Sequence, residues 1–300
     1  MGIVVPVFAL TTVAFAQGRG NQDPGPEITV AGKTYKQADL FQRNVGTRDE
    51  QSTAFPPHKM IGNIYYVGTQ SLSAFLVVTS QGNILINSTY ERNVPVIQKS
   101  IEQLGFKFAD TKILLGSHAH GDHQEGDAMV KQLTGAQVMA MAEDVPALQA
   151  MKPGGKEHPI DRVLHDGDTV KLGETTLTAR LNPGHTRGNT MWTLKTTEGG
   201  KTYDVAIIGS FNVNPGTRLV GNTTTPNIVE EYEKTFKVAH EVHVDVPLAS
   251  HPGMFNMAEK YAKLGKSATN PYIDPEGYKL ELEIDETMFR SILAAQRKGF

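Results

Sequence analysis

Apolar residues fall into short runs along the chain, and the spacing within each run separates strands from helices. Residues 64–67 (IYYV), 74–78 and 84–86 are β-type runs parted by Gly, Ser or Gln-Gly breaks. Over 94–104 the apolar positions are 94, 96, 97, 101 and 104, close to helical spacing, and Gly105 is placed to stop the helix. Residues 111–115 (TKILL) form a buried strand that leads straight into Gly116-Ser117-His118. A helix over 129–133, a strand over 137–141 and a helix over 143–151 follow. Next comes a hairpin-rich stretch with breaks at Asp166-Gly167-Asp168 and Leu172-Gly173, then an alternating strand over 175–181. Further strands are expected at 190–194, 203–208 and 244–248, with helices at 228–239 and 287–297. Strands and helices alternate in both halves, which predicts α/β layers. Residues 17–57, rich in Gly, Pro, Asn and Gln, read as an extended arm over the surface. No repeat or linker divides the remainder, so residues 17–300 are expected to form one domain.

The first sixteen residues follow a different pattern. The apolar run from Ile3 to Ala14 is too short to span a bilayer comfortably, and it ends in Ala14-Phe15-Ala16, an A-x-A cleavage sequence. Residues 1–16 are therefore expected to be a signal peptide. The mature protein would be periplasmic or secreted, free of the membrane, and a monomer.

Composition narrows the chemistry. With 39% hydrophobic and 20% charged residues the chain is that of a folded protein, and a net charge of −3 gives no reason to expect nucleic acid or an anionic membrane as partner. Cys is absent, which excludes disulfides, iron–sulfur clusters, thiolate zinc sites and a thiol nucleophile. Any metal must be held by Asp, Glu or the ten His.

Three of those His fall in Ser117-His118-Ala119-His120-Gly121-Asp122-His123, directly after the 111–115 strand. A loop at the carboxyl end of a strand is where open α/β sheets place ligands. Imidazole and carboxylate are good zinc donors. Side chains two apart share a face of an extended segment, so His118 and His120 can reach one point. Gly121 lets the backbone turn and aim Asp122 and His123 at a second. A single His in such a loop is more often solvated or bonded to backbone; the H-x-H-x-D-H string is far less open to chance. Two sites need further donors. His185, in Asn182-Pro183-Gly184-His185-Thr186, and His251, in Ser250-His251-Pro252-Gly253, both follow buried strands and supply them. His58, His158, His165, His240 and His243 lack that placement and read as surface or packing residues.

These motifs resemble the signature of the metallo-β-lactamase superfamily, and more narrowly its subclass B3 β-lactamases. The similarity runs from about Ile61 onward and includes Ile84-Leu85-Ile86-Asn87, Asp161 to Thr169, and Gly209-Ser210 followed by Asn214-Pro215-Gly216. The resemblance implies a four-layer αββα sandwich with two Zn2+ ions at one rim. Carried over by position, His118, His120 and His185 would hold one zinc, and Asp122, His123 and His251 the other. It implies a zinc-dependent β-lactamase that hydrolyses the lactam amide with a zinc-bound hydroxide, oriented by Asp122, and so gives antibiotic resistance. Ser210 and Asn212 are candidates for contact with the β-lactam. Other β-lactamases of the superfamily use a Cys on the second zinc, and glyoxalase II and the lactonases carry a bridging Asp where Ser210 stands. Gly121 replaces a larger residue, and Gln124-Glu125 replace small ones, changes that bear on substrate preference. The competing readings are a dizinc hydrolase of another ester, lactone or amide, and a zinc-binding protein without catalysis.

Overall fold

The computed structural model describes residues 25–299; the expected signal peptide lies outside them. A hairpin of β1 (Glu27–Val30) and β2 (Lys33–Lys36) leads into α1 (Gln37–Val45). A seven-stranded sheet follows, built in chain order from β3 (His58–Ile61), β4 (Ile64–Tyr66), β5 (Phe75–Thr79), β6 (Gly82–Ile86), β7 (Thr111–Leu115), β8 (Gln137–Met141) and β9 (Arg162–Leu164). Its helices are α2 (Val94–Gln103), α3 (Gly121–Gln124), α4 (Asp127–Thr134) and α5 (Val145–Ala150). A five-stranded sheet, again in chain order, holds β10 (Thr169–Leu172), β11 (Thr175–Leu181), β12 (Thr190–Glu198), β13 (Lys201–Ile208) and β14 (Val246–Ala249). It carries α6 (Ile228–Glu241), α7 (Met257–Lys263) and α8 (Pro275–Arg297). The layers are those of the αββα sandwich.

Strand alternation explains the layering. Ile84 and Ile86 of β6, Ile113 and Leu115 of β7, and Met139 and Met141 of β8 face the core shared with the second sheet. The residues between them, Leu85, Leu114 and Val138, point to the opposite face and meet Val94, Ile97 and Ile101 of α2 and Val130 of α4. Each such buried aliphatic side chain contributes about 1.5–3 kcal/mol. From β6 to β9 the pairing is parallel, so every connection must cross over the sheet, and the helices do so on that outer face. On the second sheet Tyr232 and Phe236 of α6 pack on Phe289 of α8 at centroid distances of 5.2 and 5.5 Å.

Two expectations are corrected. The described part of the 17–57 arm is ordered as β1, β2 and α1, with Ile28, Val30 and Leu40 buried in the main core. The closing helix begins at Pro275 rather than near 287, capped by Asp274, whose carboxylate accepts from Gly277 N at 2.9 Å. Its apolar stripe is interrupted by the half-buried Glu281 and the buried Asp285, which hid the first three turns from a reading of hydrophobic spacing. Among the described residues no helix is long and apolar enough to cross a membrane.

Candidate metal centre

The ends of β7, β11, β13 and β14 open on one rim, and the loop after each carries a residue picked out in the sequence. After β7, the backbone from His118 folds on itself, with His120 N donating to His118 O at 2.8 Å, and α3 starts at Gly121. Two cross-sheet bonds clamp this loop. Trp192 Nε1 on β12 donates to Gly116 O at 3.0 Å, and Thr190 N donates to Ser117 O at 2.8 Å. On its other side Ser88 N and Thr89 N both donate to His123 O at 3.0 Å. Thr89 pays for that contact with a left-handed φ of 58°, unusual for a β-branched residue.

All six expected donors come together. His118, His120 and His185 form one triad and Asp122, His123 and His251 another, each offering ligand atoms within 4.8 Å of one another. The rings of His118 and His123, one from each triad, lie 4.2 Å apart between centroids. Outer hydrogen bonds orient the rings: His185 Nδ1 donates to Asn212 O at 3.0 Å, and His251 Nδ1 donates to Ser71 O at 3.0 Å. Their Nε2 atoms are thereby left as acceptors aimed inward.

The unsatisfied ring nitrogens at this point suit a cation. The Nε2 of His118 and both ring nitrogens of His123 are buried without a hydrogen-bond partner. An unsatisfied buried polar group costs about 1–3 kcal/mol, and several around one point are explained by a metal. Burial lowers the His118 ring well below its ordinary value, with the neighbouring imidazoles adding to it. Burial likewise brings His123 and His185 down to about 3, so their lone pairs are free at neutral pH. Burial alone would raise the Asp122 carboxyl, but His123, His251 and His120 around it bring it to about 2. Its Oδ2 lies 3.5 Å from His123 Nε2 and 3.7 Å from His251 Nε2. A third group, Asp204, His243 and Asp245, is at the surface, where Lys195 already pairs with Asp204 at 2.5 Å.

Ser210 and Asn212 flank the centre but are engaged with each other. Ser210 is 1% exposed and its hydroxyl donates to Asn212 Oδ1. The Asn212 carbonyl takes the His185 bond and a second one from Tyr232 OH at 3.0 Å. At Gly121, an added Cβ would meet Glu125 Oε2 at 3.4 Å and the Tyr90 ring at 3.7 Å, so those two side chains stand where a larger residue 121 would project. Gln124 turns away and packs on Gly116, where a Cβ would collide with its amide. The small residue at 116 thus accommodates the large one at 124.

Asp144, missed in the sequence, braces the centre. Its buried carboxylate accepts from Ala119 N at 2.8 Å, Thr186 Oγ1 at 2.8 Å and Gly188 N at 2.7 Å, joining the 118–123 loop to the 185–188 turn. It lies in a run that reads only as the start of a helix, and nothing local marks it. Of the remaining His, His58 and His158 are buried with both ring nitrogens hydrogen-bonded, and His165, His240 and His243 are exposed.

No family model matches the chain. Solved structures do. The FEZ-1 metallo-β-lactamase of Legionella gormanii is 47% identical over 82% of this chain and 98% of its own, with a TM-score of 0.79. BJP-1, a subclass B3 metallo-β-lactamase of Bradyrhizobium japonicum, is 36% identical over 83% and 98%, with a TM-score of 0.77. Among curated proteins, a hydroxyacylglutathione hydrolase of Cereibacter sphaeroides is 39% identical over 79 residues, which is 26% of this chain and 27% of that protein. The chain therefore matches about a quarter of the length of that curated relative.

Proposed function

The chain belongs to the metallo-β-lactamase superfamily and, within it, to subclass B3, and from that premise we propose that this hydrolase is a dizinc β-lactamase that opens the lactam amide of antibiotics and so confers resistance. In this reading His118, His120 and His185 hold one zinc, and Asp122, His123 and His251 hold the other. The observation that carries it is the pairing of two complete His/Asp triads with a neutral, buried Ser210 at the end of β13. That is the position where the glyoxalase II type of site has a bridging carboxylate.

Bound zinc supplies an acidified water and a Lewis acid for the scissile carbonyl. The chain's own residues do the rest. Asp122 is ionised throughout the neutral range, so its carboxylate would both hold metal and be able to accept a hydrogen from an attacking water and fix its direction. Asn212 O and Ser71 O keep the Nδ1 protons on His185 and His251, which prevents those rings from turning. Tyr90, whose hydroxyl is pushed up to about 12 by burial and by Asp122, stays neutral beside Gly121, with the Arg92 guanidinium 4.0 Å over its ring. Ser210 and Asn212 are the polar contacts proposed for the substrate, which requires their mutual hydrogen bond to open.

A second reading, hydrolysis of a glutathione thioester or another ester, is favoured by the 79-residue similarity to hydroxyacylglutathione hydrolase. The test is turnover of a chromogenic cephalosporin, a carbapenem, a hydroxyacylglutathione thioester and a lactone by purified protein. β-Lactam hydrolysis abolished by a chelator and restored by zinc is expected. Turnover of the thioester or lactone alone would replace this reading with the second. Metal binding without any turnover would leave a zinc-binding protein.

A further inference from the structure

Behind the metal centre, the turn that carries Asp122 and His123 rests on a buried polar cluster with no part in the proposed hydrolysis. α3 is a single helical turn, in which Gln124 N donates to His120 O at 3.0 Å and Glu125 N to Gly121 O at 3.1 Å. One such turn is not stable by itself, because helix nucleation fixes several residues for very few hydrogen bonds. Its last carbonyls have no following turn to satisfy them. Their partners come from elsewhere in the chain, and those partners decide where Asp122 and His123 stand.

Two segments supply them. Ser88 N and Thr89 N hold His123 O, and the next carbonyl, Gln124 O, accepts from His158 Nε2 at 3.1 Å. His158 lies between α5 and β9, and its side chain is fully buried. Asp127 Oδ2 stands 3.3 Å from the same nitrogen, while Asp127 Oδ1 accepts from Ser88 Oγ at 2.6 Å. The carboxylate favours a proton on Nε2 and so keeps that nitrogen a donor to Gln124 O. Gly126 lets the cluster close up, since a Cβ there would meet Ser88 Cβ at 3.0 Å. Packing alone would be met by an apolar ring, without the cost of burying an imidazole and a carboxylate.

We propose that His158 is a positioning residue for the second triad: through Gln124 O it fixes the α3 turn, and with it the placing of Asp122 and His123 about the second cation. The proposal rests on the two-cation reading of the centre. His118 and His120 precede the turn and His185 lies on another loop, so the first triad does not depend on His158.

The experiment is zinc competition against a chromophoric chelator, with each triad measured where it alone is complete: the second in a His185→Ala background, the first in a His251→Ala background. His158→Leu should weaken zinc at the second triad by about 10–100-fold, the usual effect of removing a group that orients a metal ligand, and leave the first unchanged. Two polar variants test where the donor must stand. A glutamine amide reaches as far as Nε2 and an asparagine amide only as far as Nδ1. His158→Gln should therefore restore most of the second-triad affinity, and His158→Asn should not. This comparison decides the matter alone if His158→Leu does not fold. Equal second-triad affinity in the Gln and Asn variants overturns the proposal. So does an equal loss at both triads, the mark of a general loosening of the fold. If neither background protein binds zinc with His158 intact, the two-cation reading fails and the proposal falls with it.

Discussion

Two buried side chains next to the metal-bearing loop show how much of the site rests on groups that never touch it. Asp144 accepts three hydrogen bonds, two from backbone N–H groups on different loops. Asp144→Asn replaces one acceptor oxygen by an NH2 that faces a donor. A loss of about 1–3 kcal/mol in stability is expected, with metal affinity down about 10–100-fold, read by denaturant unfolding and by competition with a chromophoric chelator. Unchanged zinc affinity would show that the brace is redundant. His158 offers a pH-dependent counterpart. Its Nδ1 faces Pro159 O at 3.2 Å, and its Nε2 faces Gln124 O at 3.1 Å and the Asp127 carboxylate at 3.3 Å. Every partner is an acceptor, so the doubly protonated ring is the one that satisfies them. Burial opposes that charge, yet Asp127 and the two carbonyls outweigh it and raise the ring above its ordinary 6.5. A raised folded value means stabilisation present in full below about 6.5 and lost as pH climbs through the folded value. The stability gap between the native protein and His158→Gln should therefore be wider near pH 5.5 than near pH 8.5, at matched zinc content. A gap that grows with pH would refute the assignment.

Turns carry the next level of organisation, and Pro183-Gly184-His185-Thr186 is the most constrained of them. Gly184 has φ +127°, and a Cβ there would meet the Tyr232 ring at 2.7–2.9 Å. Tyr232 cannot retreat, since it is stacked on Phe289 and its hydroxyl holds Asn212 O, the same carbonyl that orients His185. Gly184→Ala is thus expected to cost about 1–3 kcal/mol through strain and overpacking, and to lower zinc occupancy of the first triad while the second fills normally. Metal analysis with thermal unfolding tests this; full occupancy would mean that the turn adapts. The same turn shows what could be read beforehand. Its His was legible because a Pro-Gly break after an alternating strand leaves a side chain at a strand's end, as do the 118–123 and 251 motifs. Strands β5 to β8 were legible for a related reason, since their apolar runs are local. What remained hidden depends on distant partners. The hairpin β1–β2 is polar by composition and is held by Ile28 and Val30 entering the main core. The first turns of α8 are hidden because Glu281 is neutralised by Arg43, 238 residues away in the chain.

At the scale of the molecule, the two triads join two sheets. His118, His120, Asp122 and His123 hang from β7 of the seven-stranded sheet, whereas His185 and His251 follow β11 and β14 of the five-stranded one. Each triad therefore draws from both sheets, and a cation in either one ties them together. In the unfolded chain the donors lie in stretches about 60 residues or more apart, and the site does not exist. Ligand that binds only the folded state stabilises it by about 2.7 kcal/mol when present at 100 times its dissociation constant. For a chain of this size that corresponds to roughly 5–10 °C in Tm. Chelation should lower Tm by about that much, and zinc should restore it. His118→Ala, which removes a buried donor on the first sheet, should forfeit much of the zinc-dependent increment and most of the hydrolytic activity together. The metal-free variant should lose less than a usual core truncation, because the substitution also removes an Nε2 that has no partner without metal. Calorimetric scans of both proteins with zinc and with chelator separate these contributions. If Tm is the same in zinc and in chelator, the cations do not join the sheets; if His118→Ala keeps its full zinc response, His118 is not a ligand.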